Sequence, residues 1–397
     1  MNAHGPLPLD GVRVIDISSL GPGPFSSMLL ADYGADIVWV RRPNPETFDP
    51  GPMFSRGKRT IVLDLKAEPG PEVIKRLVRD ADVFLEGYRP GVAERLGIGP
   101  DVLMAENPRL IYTRLTGYGQ TGPYASRVGH DINYISVGGG LGAIGRSEPT
   151  PPLNILGDFA GGSVNAVLGV LLALLQRQQT GKGQVVDAAM VDGVALLLSA
   201  QLAFHADGKW GGRGSSDLSG NAPYYAAYEC ADGKWYSLGA IEDRFYVQAV
   251  AALGLQDVAT TDRSDPANWS RLRELFAEAF ARQPRKHWID VFSAIDGCGS
   301  PVLEIDELPD DPHLRARGSI ATHEGRVQAA PAPRFGTAPF PIRSRPDGAD
   351  TLGVLRELGV TPAEIAAWAA GGALPDGACC TEPTGNDDLI QPHPQRQ

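Results

Sequence analysis

Val12-Arg13-Val14-Ile15-Asp16-Ile17 is a short apolar run that stops at Ser18-Ser19-Leu20-Gly21-Pro22-Gly23-Pro24, a stretch of turn formers. The run reads as a buried strand and the stretch after it as a loop. Phe25–Tyr33 then has a helical pattern, and Ile37–Val40 is again apolar and strand-like. Strand, tight loop, helix and strand in that order, with strands apolar on both sides, describe one unit of a parallel sheet covered on both faces. The Gly-Pro-Gly-Pro loop lacks the G-x-G-x-x-G spacing of a dinucleotide site. Its prolines also remove backbone donors that a pyrophosphate would use, so a nicotinamide site is not expected here.

The alternation continues outward. Strands are expected at Thr60–Leu65, Val83–Leu85, Leu110–Arg114 and Gln184–Ala188. Helices are expected at Glu72–Asp80, near Val92–Leu96 and Val102–Glu106, over Asp158–Gln178 and over Met190–Ala203. The last two are expected in the first domain's core. The fold class is therefore α/β with a mainly parallel sheet, whose ligands belong beyond the carboxyl ends of the strands. Residues 1–206 form the N-terminal part of a large domain, and the glycine- and serine-rich 207–224 a linker. Tyr224–Cys230 and Lys234–Gly239 flank Ala231-Asp232-Gly233, a hairpin signal. With helical patterns at Phe245–Leu253, Trp269–Arg282 and Arg285–Ala294 it makes 225–315 a smaller α+β domain. Residues 316–370 return to the large domain, with a proline-rich extended crossing at 324–348 and helices at Thr351–Leu358 and after Thr361-Pro362-Ala363-Glu364, a capping box. Residues 371–397 read as a disordered polar tail.

An apolar content of 43% and a charged content of 21% describe a soluble globular chain. The net charge of -11 argues against a nucleic-acid binder or a basic membrane patch. The longest apolar run, Ala166–Leu175, suits a core helix and is too short for a bilayer. Cys230, Cys298, Cys379 and Cys380 show no zinc spacing, so no metal is expected and reduced thiols in a cytoplasm are the plain reading. The N-terminus shows no secretory pattern and the C-terminus no peroxisomal tripeptide.

Two clusters carry candidate chemistry. Gly129-His130-Asp131-Ile132-Asn133-Tyr134 and Gly157-Asp158-Phe159-Ala160-Gly161-Gly162-Ser163 each set an ionisable side chain beside glycine where a helix can begin. Histidine suits general-base work near neutral pH, though a lone histidine is more often surface or satisfied core. An aspartate before a helix is usually an N-cap. The glycines around Asp158 leave room for a substrate, and a helix start after His130 offers free N–H groups to a developing negative charge. The expectation is that His130 and Asp158 pass a proton across one site. Glu242 follows the hairpin and can hold a histidine in one tautomer. Arg41, Arg42, Lys58, Arg59, Lys66, Arg89 and Arg95 are a local excess of cations, read either as solvated surface charge or as a phosphate site.

These residues resemble the family III CoA-transferases over about residues 10 to 345. The resemblance lies in Gly11–Asp16, Leu30–Asp36, Arg56-Gly57-Lys58-Arg59, Leu63-Asp64-Leu65-Lys66, Asn107–Tyr112, Gly129–Tyr134, Asp158–Gly162, Thr180–Gln184 and Gly239–Glu242. It is closest to the family's racemase members. It implies a Rossmann-like large domain built from both chain ends, a smaller inserted domain and an interlocked homodimer. The site would lie between one subunit's large domain and the other's small domain. It further implies that His130 and Asp158 are an acid–base pair, with Glu242 contacting the histidine. Arg42, Leu63, Asp64, Leu65, Lys66, Gly87, Tyr88, Arg89, Arg95, Gly129, Asp131, Ile132, Asn133 and Tyr134 would contact the CoA of an acyl-CoA thioester substrate. The implied activity inverts the α-carbon of 2-methylacyl-CoA thioesters through an enolate, without a cofactor. A CoA-transferase using Asp158 as nucleophile and a non-catalytic acyl-CoA binder are the alternatives.

Overall fold

The structure, a computed structural model, describes residues 7–19, 21–43, 54–323, 325–335 and 350–374. Six parallel strands form one sheet in the order β3-β2-β1-β4-β5-β6. They are β1 (Arg13–Asp16), β2 (Asp36–Arg41), β3 (Lys58–Val62), β4 (Val83–Glu86), β5 (Ile111–Thr116) and β6 (Gln184–Ala189). The order reverses between β1 and β4, which makes the crevice at their carboxyl ends the natural ligand position of a doubly wound sheet.

Alternation along the strands separates two cores. Val14, Ile37, Val83 and Ile111 face Leu30, Val170, Ala173 and Leu174. Ile15, Val38, Phe84 and Tyr112 face Val73, Ile74 and Leu77, together with Val354, Leu355 and Ile365. The first layer holds the helices Pro22–Asp32 and Asn165–Thr180, the second the helices Pro69–Val78, Thr351–Glu357 and Pro362–Ala370. The capping box at Thr361 is present, with Glu364 Oε2 accepting from the Thr361 N–H at 2.8 Å. Order extends past residue 371: Ala373 and Leu374 are buried, and Ala373 O accepts from Asp64 N at 2.9 Å. Most of the proline-rich 324–348, the tail from 375 and Cys379 and Cys380 lie outside the described residues.

The chain divides into two compact units, one of Met1–Ser126, Gly162–Ala189 and Phe340–Gln397 and one of Arg127–Gly161 and Met190–Pro339. This differs from the expected boundaries. Arg127–Gly161 and residues 190–206 group with the second unit, because the helix Asp131–Val137 packs on the helix Met190–Leu197. The apolar pattern over 190–203 resolves into two helices, Met190–Leu197 and Ser199–Ala206. Leu196, Leu197, Leu202 and Phe204 are exposed, so this segment is not packed in the first domain's core as its hydrophobicity suggests. Residues 208–221 are an ordered loop: Arg213 donates to Gly142 O at 3.1 Å and to Ser147 O at 3.3 Å.

In the second unit the hairpin is β7 (Tyr225–Glu229) with β8 (Trp235–Gly239), and β9 (Gly299–Val302) adds a third antiparallel strand. Gly299 and Pro301 hide β9 from a sequence reading. Helices Asp243–Ala252, Trp269–Phe280 and Arg285–Phe292 cover the sheet around an aromatic core in which Tyr228 stacks on Phe280 at 5.1 Å. β10 (Ile320–His323) and β11 (Arg326–Ala329) form a further hairpin where an extended crossing is expected.

Ile155–Val164 is π-helical and runs on into Asn165–Thr180. The 26-residue helical run is long and apolar enough, by length and composition, to cross a bilayer, which the ten-residue apolar run alone does not suggest. Ala166, Val170, Ala173 and Leu174 along it are buried in the first unit's core.

Candidate active site

His130 is the N-cap residue of the helix Asp131–Val137. Its N–H donates to Asn133 Oδ1 at 3.0 Å, and its carbonyl accepts from Asn133 N at 2.8 Å and Tyr134 N at 3.3 Å. This reciprocal cap fixes the backbone and leaves the imidazole exposed. The next residue turns inward. Asp131 is buried, and its Oδ1 accepts from both Gly157 N and Asp158 N, each at 2.7 Å. Gly157 is needed for that approach, since a Cβ there would lie 2.5 Å from Asp131 Oδ1.

Asp158 therefore sits beside the helix start that carries His130. It lies in the first turn of the π-helical segment rather than at an N-cap, and Asn154 Nδ2 donates to its Oδ2 at 3.2 Å. π-Helical turns are uncommon and recur at functional sites. Burial pushes the Asp158 carboxyl above its ordinary range. The Asn154 hydrogen bond opposes this rise, the Asp131 charge adds to it, and His130 opposes it. The structure thus brings the two expected residues into one electrostatic neighbourhood.

Glu242 is exposed at the head of the helix Asp243–Ala252, its carbonyl accepting from Phe245 N and Tyr246 N. Within the described residues of the chain no hydrogen bond or ion pair joins it to His130. Its charge bears instead on Cys298, whose thiol is pushed up by burial first and by Glu242 next.

The expected CoA-contacting residues of the first unit collect at the carboxyl ends of its strands: Arg42 after β2, Leu63–Lys66 after β3, Gly87–Arg89 after β4 and Arg95 in the helix Val92–Arg95. Arg42, Lys66, Arg89 and Arg95 are exposed, and the Arg42 guanidinium stands 5.8 Å from the Tyr88 ring centroid. Leu63 and Leu65 are buried, and Asp64 Oδ1 accepts from Lys66 N at 2.9 Å, which shapes the turn. The wider cation group divides. Lys58 is wholly buried against Asp16, and Arg59 is paired with Asp36 and Glu357, so these two serve the fold. In the second unit, Gly129 O accepts from the Tyr134 hydroxyl, Ile132 and Asn133 are exposed, and Asp131 points inward as described. The Asp131 contact and Asn154 went unread in the sequence. The one-turn spacing of Asn154 to Asp158 is the only signal that could have found either.

The model of "CoA-transferase family III" matches residues 9–351. A protein named alpha-methylacyl-CoA racemase from Homo sapiens is 42% identical over 364 residues, covering 90% of this chain and 95% of its own. Its namesake from Mus musculus is 41% identical over 366 residues with the same coverage. The crystal structure of a CAIB/BAIF family protein from Brucella suis superposes with a TM-score of 0.78 at 28% identity, covering 89% of this chain and 99% of that one. A family match over residues 9–351 makes the chain a member of CoA-transferase family III.

Proposed function

We propose that this protein racemises 2-methylacyl-CoA thioesters by 1,1-proton transfer. The observation that carries this reading is the Asp131 contact, which sets the Asp158 turn against the helix start of His130. A thioester acidifies its α-hydrogen because the enolate spreads charge onto oxygen. Neutral His130 takes the proton from one face, and protonated Asp158 returns its own to the other. In the reverse direction the roles exchange. Asp131 N–H and Ile132 N–H have no acceptor within their own helix and suit the enolate oxygen. The raised Asp158 carboxyl suits a group that must hold a proton before giving it up. Arg42, Lys66, Arg89 and Arg95 suit the phosphates of CoA. No cofactor is required.

The active form is a homodimer in which Glu242 of the partner subunit steadies His130. Leu168, Leu172 and Leu175 of the first unit and Leu196, Leu197, Leu202 and Phe204 of the second are exposed, an amount of apolar surface that suits burial against a second copy. The free thiols of Cys230 and Cys298 suit a reducing compartment such as the cytoplasm.

The family name favours a second reading, in which Asp158 attacks an acyl-CoA and carries CoA to another acid. One experiment separates the two. Enantiopure 2-methylacyl-CoA is incubated with the protein and a labelled free acid, and both products are resolved by chiral chromatography. Racemisation with no labelled thioester is expected. Labelled thioester, with CoA bound covalently to Asp158, would replace the racemase reading with the transferase one.

A further inference from the structure

The buried carboxylate of Asp131 is the polar group at the site that the proton transfer itself does not use. The residue is 6% exposed, so it is withdrawn from solvent. Oδ1 receives two backbone N–H groups at 2.7 Å, one from Gly157 and one from Asp158 itself. Oδ2 is also buried and has no hydrogen-bond partner among the described residues. A carboxylate kept with one oxygen unpartnered carries a desolvation cost that packing alone does not explain. The other oxygen, Oδ1, approaches Gly157 so closely that a Cβ there would lie 2.5 Å from it. The contact spans 26 and 27 residues of sequence, so it fixes tertiary geometry rather than a local turn.

We propose that Asp131 is a positioning residue for the reaction: its buried carboxylate clamps the backbone of Asp158 and thereby sets where that carboxyl stands relative to His130. The inference rests on the reading of His130 and Asp158 as the acid–base pair. It gives the two neighbours in Gly129–Tyr134 separate duties. His130 moves the proton, and Asp131 holds the other proton carrier in place. The clamp also acts through charge. Among the described residues, the Asp131 charge favours the protonated form of Asp158 and His130 opposes it. Asn154 donates a hydrogen bond from the same segment. Removing the Asp131 charge while keeping its oxygen separates the two effects.

The test compares Asp131→Ala with Asp131→Asn. The alanine variant loses both hydrogen bonds, so kcat for racemisation falls at least about a hundredfold while KM for the CoA ester changes less than about threefold. The asparagine variant keeps an acceptor oxygen, so kcat recovers to within about tenfold of the parent. The acid limb of its kcat/KM profile moves to lower pH, because a like charge beside Asp158 has gone. Circular dichroism establishes that both variants fold. The proposal is overturned if the alanine variant keeps its kcat, or if the asparagine variant is as impaired as alanine with an unmoved acid limb. A second measurement does not depend on the reaction. The Asp158 carboxyl is titrated by 13C NMR of aspartate-labelled protein and assigned with Asp158→Asn. Its midpoint falls in Asp131→Asn if the clamp acts as described, and an unchanged midpoint contradicts it even if the protein proves not to be a racemase.

Discussion

Lys58 and Asp16 face each other wholly inside the first unit, with Nζ 3.9 Å from Oδ2 and neither side chain exposed. Lys58 Nζ also donates to Pro24 O and to Ser27 Oγ, each at 2.7 Å, and stands 4.3 Å from the Trp39 ring centroid. Asp16 Oδ1 accepts from Ser18 N at 2.8 Å and from Ser18 Oγ, and Oδ2 accepts from Ser27 Oγ. The pair therefore pins the Gly-Pro-Gly-Pro loop to the end of β1. Gly23 completes the fit, since a Cβ there would lie 2.2 Å from Ser18 Oγ.

Lys58→Met leaves the Asp16 charge buried without its cation. Breaking such a pair from one side costs about 3–5 kcal/mol, whereas removing both charges costs far less. The urea midpoint is expected to fall sharply in Lys58→Met and to recover in part in Lys58→Met/Asp16→Asn, followed by Trp39 fluorescence. A neutral single substitution would show that the pair does not support the loop.

Glu86 organises the next loop along the sheet edge. It is fully buried, accepts from Tyr88 N at 2.6 Å through Oε2, and accepts from Arg114 Nε at 2.9 Å through Oε1. Arg114 also reaches Glu94 at 2.8 Å, so one guanidinium ties β5 to β4 and to the helix beyond it. Burial pushes the Glu86 carboxyl up to about 7, against the pull of Tyr88 N–H and Arg114. Glu86→Ala frees the Gly87–Arg89 turn. KM for the CoA ester is expected to rise about tenfold, the worth of one hydrogen bond to a charged group, with kcat little changed. Steady-state kinetics read this directly. A fall in kcat at unchanged KM would contradict a binding role for the turn.

Leu168, Leu172 and Leu175 recur at helical spacing on the outer side of Asn165–Thr180. A charge in their midst is incompatible with a dry interface between copies. Light scattering after size exclusion is expected to give a dimer for the parent and a monomer for Leu172→Glu. A monomeric parent, or an unaffected dimer, would exclude this face from the assembly.

The raised carboxyl of Asp158 has a consequence for activity against pH. The reactive enzyme holds one proton between His130 and Asp158. In the direction in which Asp158 takes the α-proton its carboxyl must be ionised, so activity in that direction appears as pH rises through the Asp158 midpoint. The acid limb of kcat/KM is therefore expected above the ordinary aspartate value of about 3.9. A limb at or below that value would mean that burial does not govern the group.

Much of the architecture was legible because strand and helix periods stand out in the first 120 residues. Val14 and Ile15, adjacent in sequence, serve opposite faces of the sheet, as alternation requires. What was illegible depends on tertiary partners. Lys58 and Arg59 read alike as free cations, yet each is matched by an acid remote in sequence. Asp131 is expected only as a CoA-contacting residue, and only the fold brings Gly157 and Asp158 to its carboxylate. The helices over 190–206 read as core because they are apolar, although their leucines are exposed in the single chain. β9 was hidden by its own proline, and the division of units by packing between segments about sixty residues apart.

The most direct measurement of the central claim is exchange of the α-hydrogen of an enantiopure 2-methylacyl-CoA with deuterium oxide, followed by NMR alongside its optical rotation. The account predicts that the parent protein loses rotation as deuterium enters the α-position, and that His130→Ala and Asp158→Asn each slow this at least about a thousandfold while still binding the CoA ester. Normal exchange in His130→Ala, or inversion without entry of solvent deuterium, would contradict it.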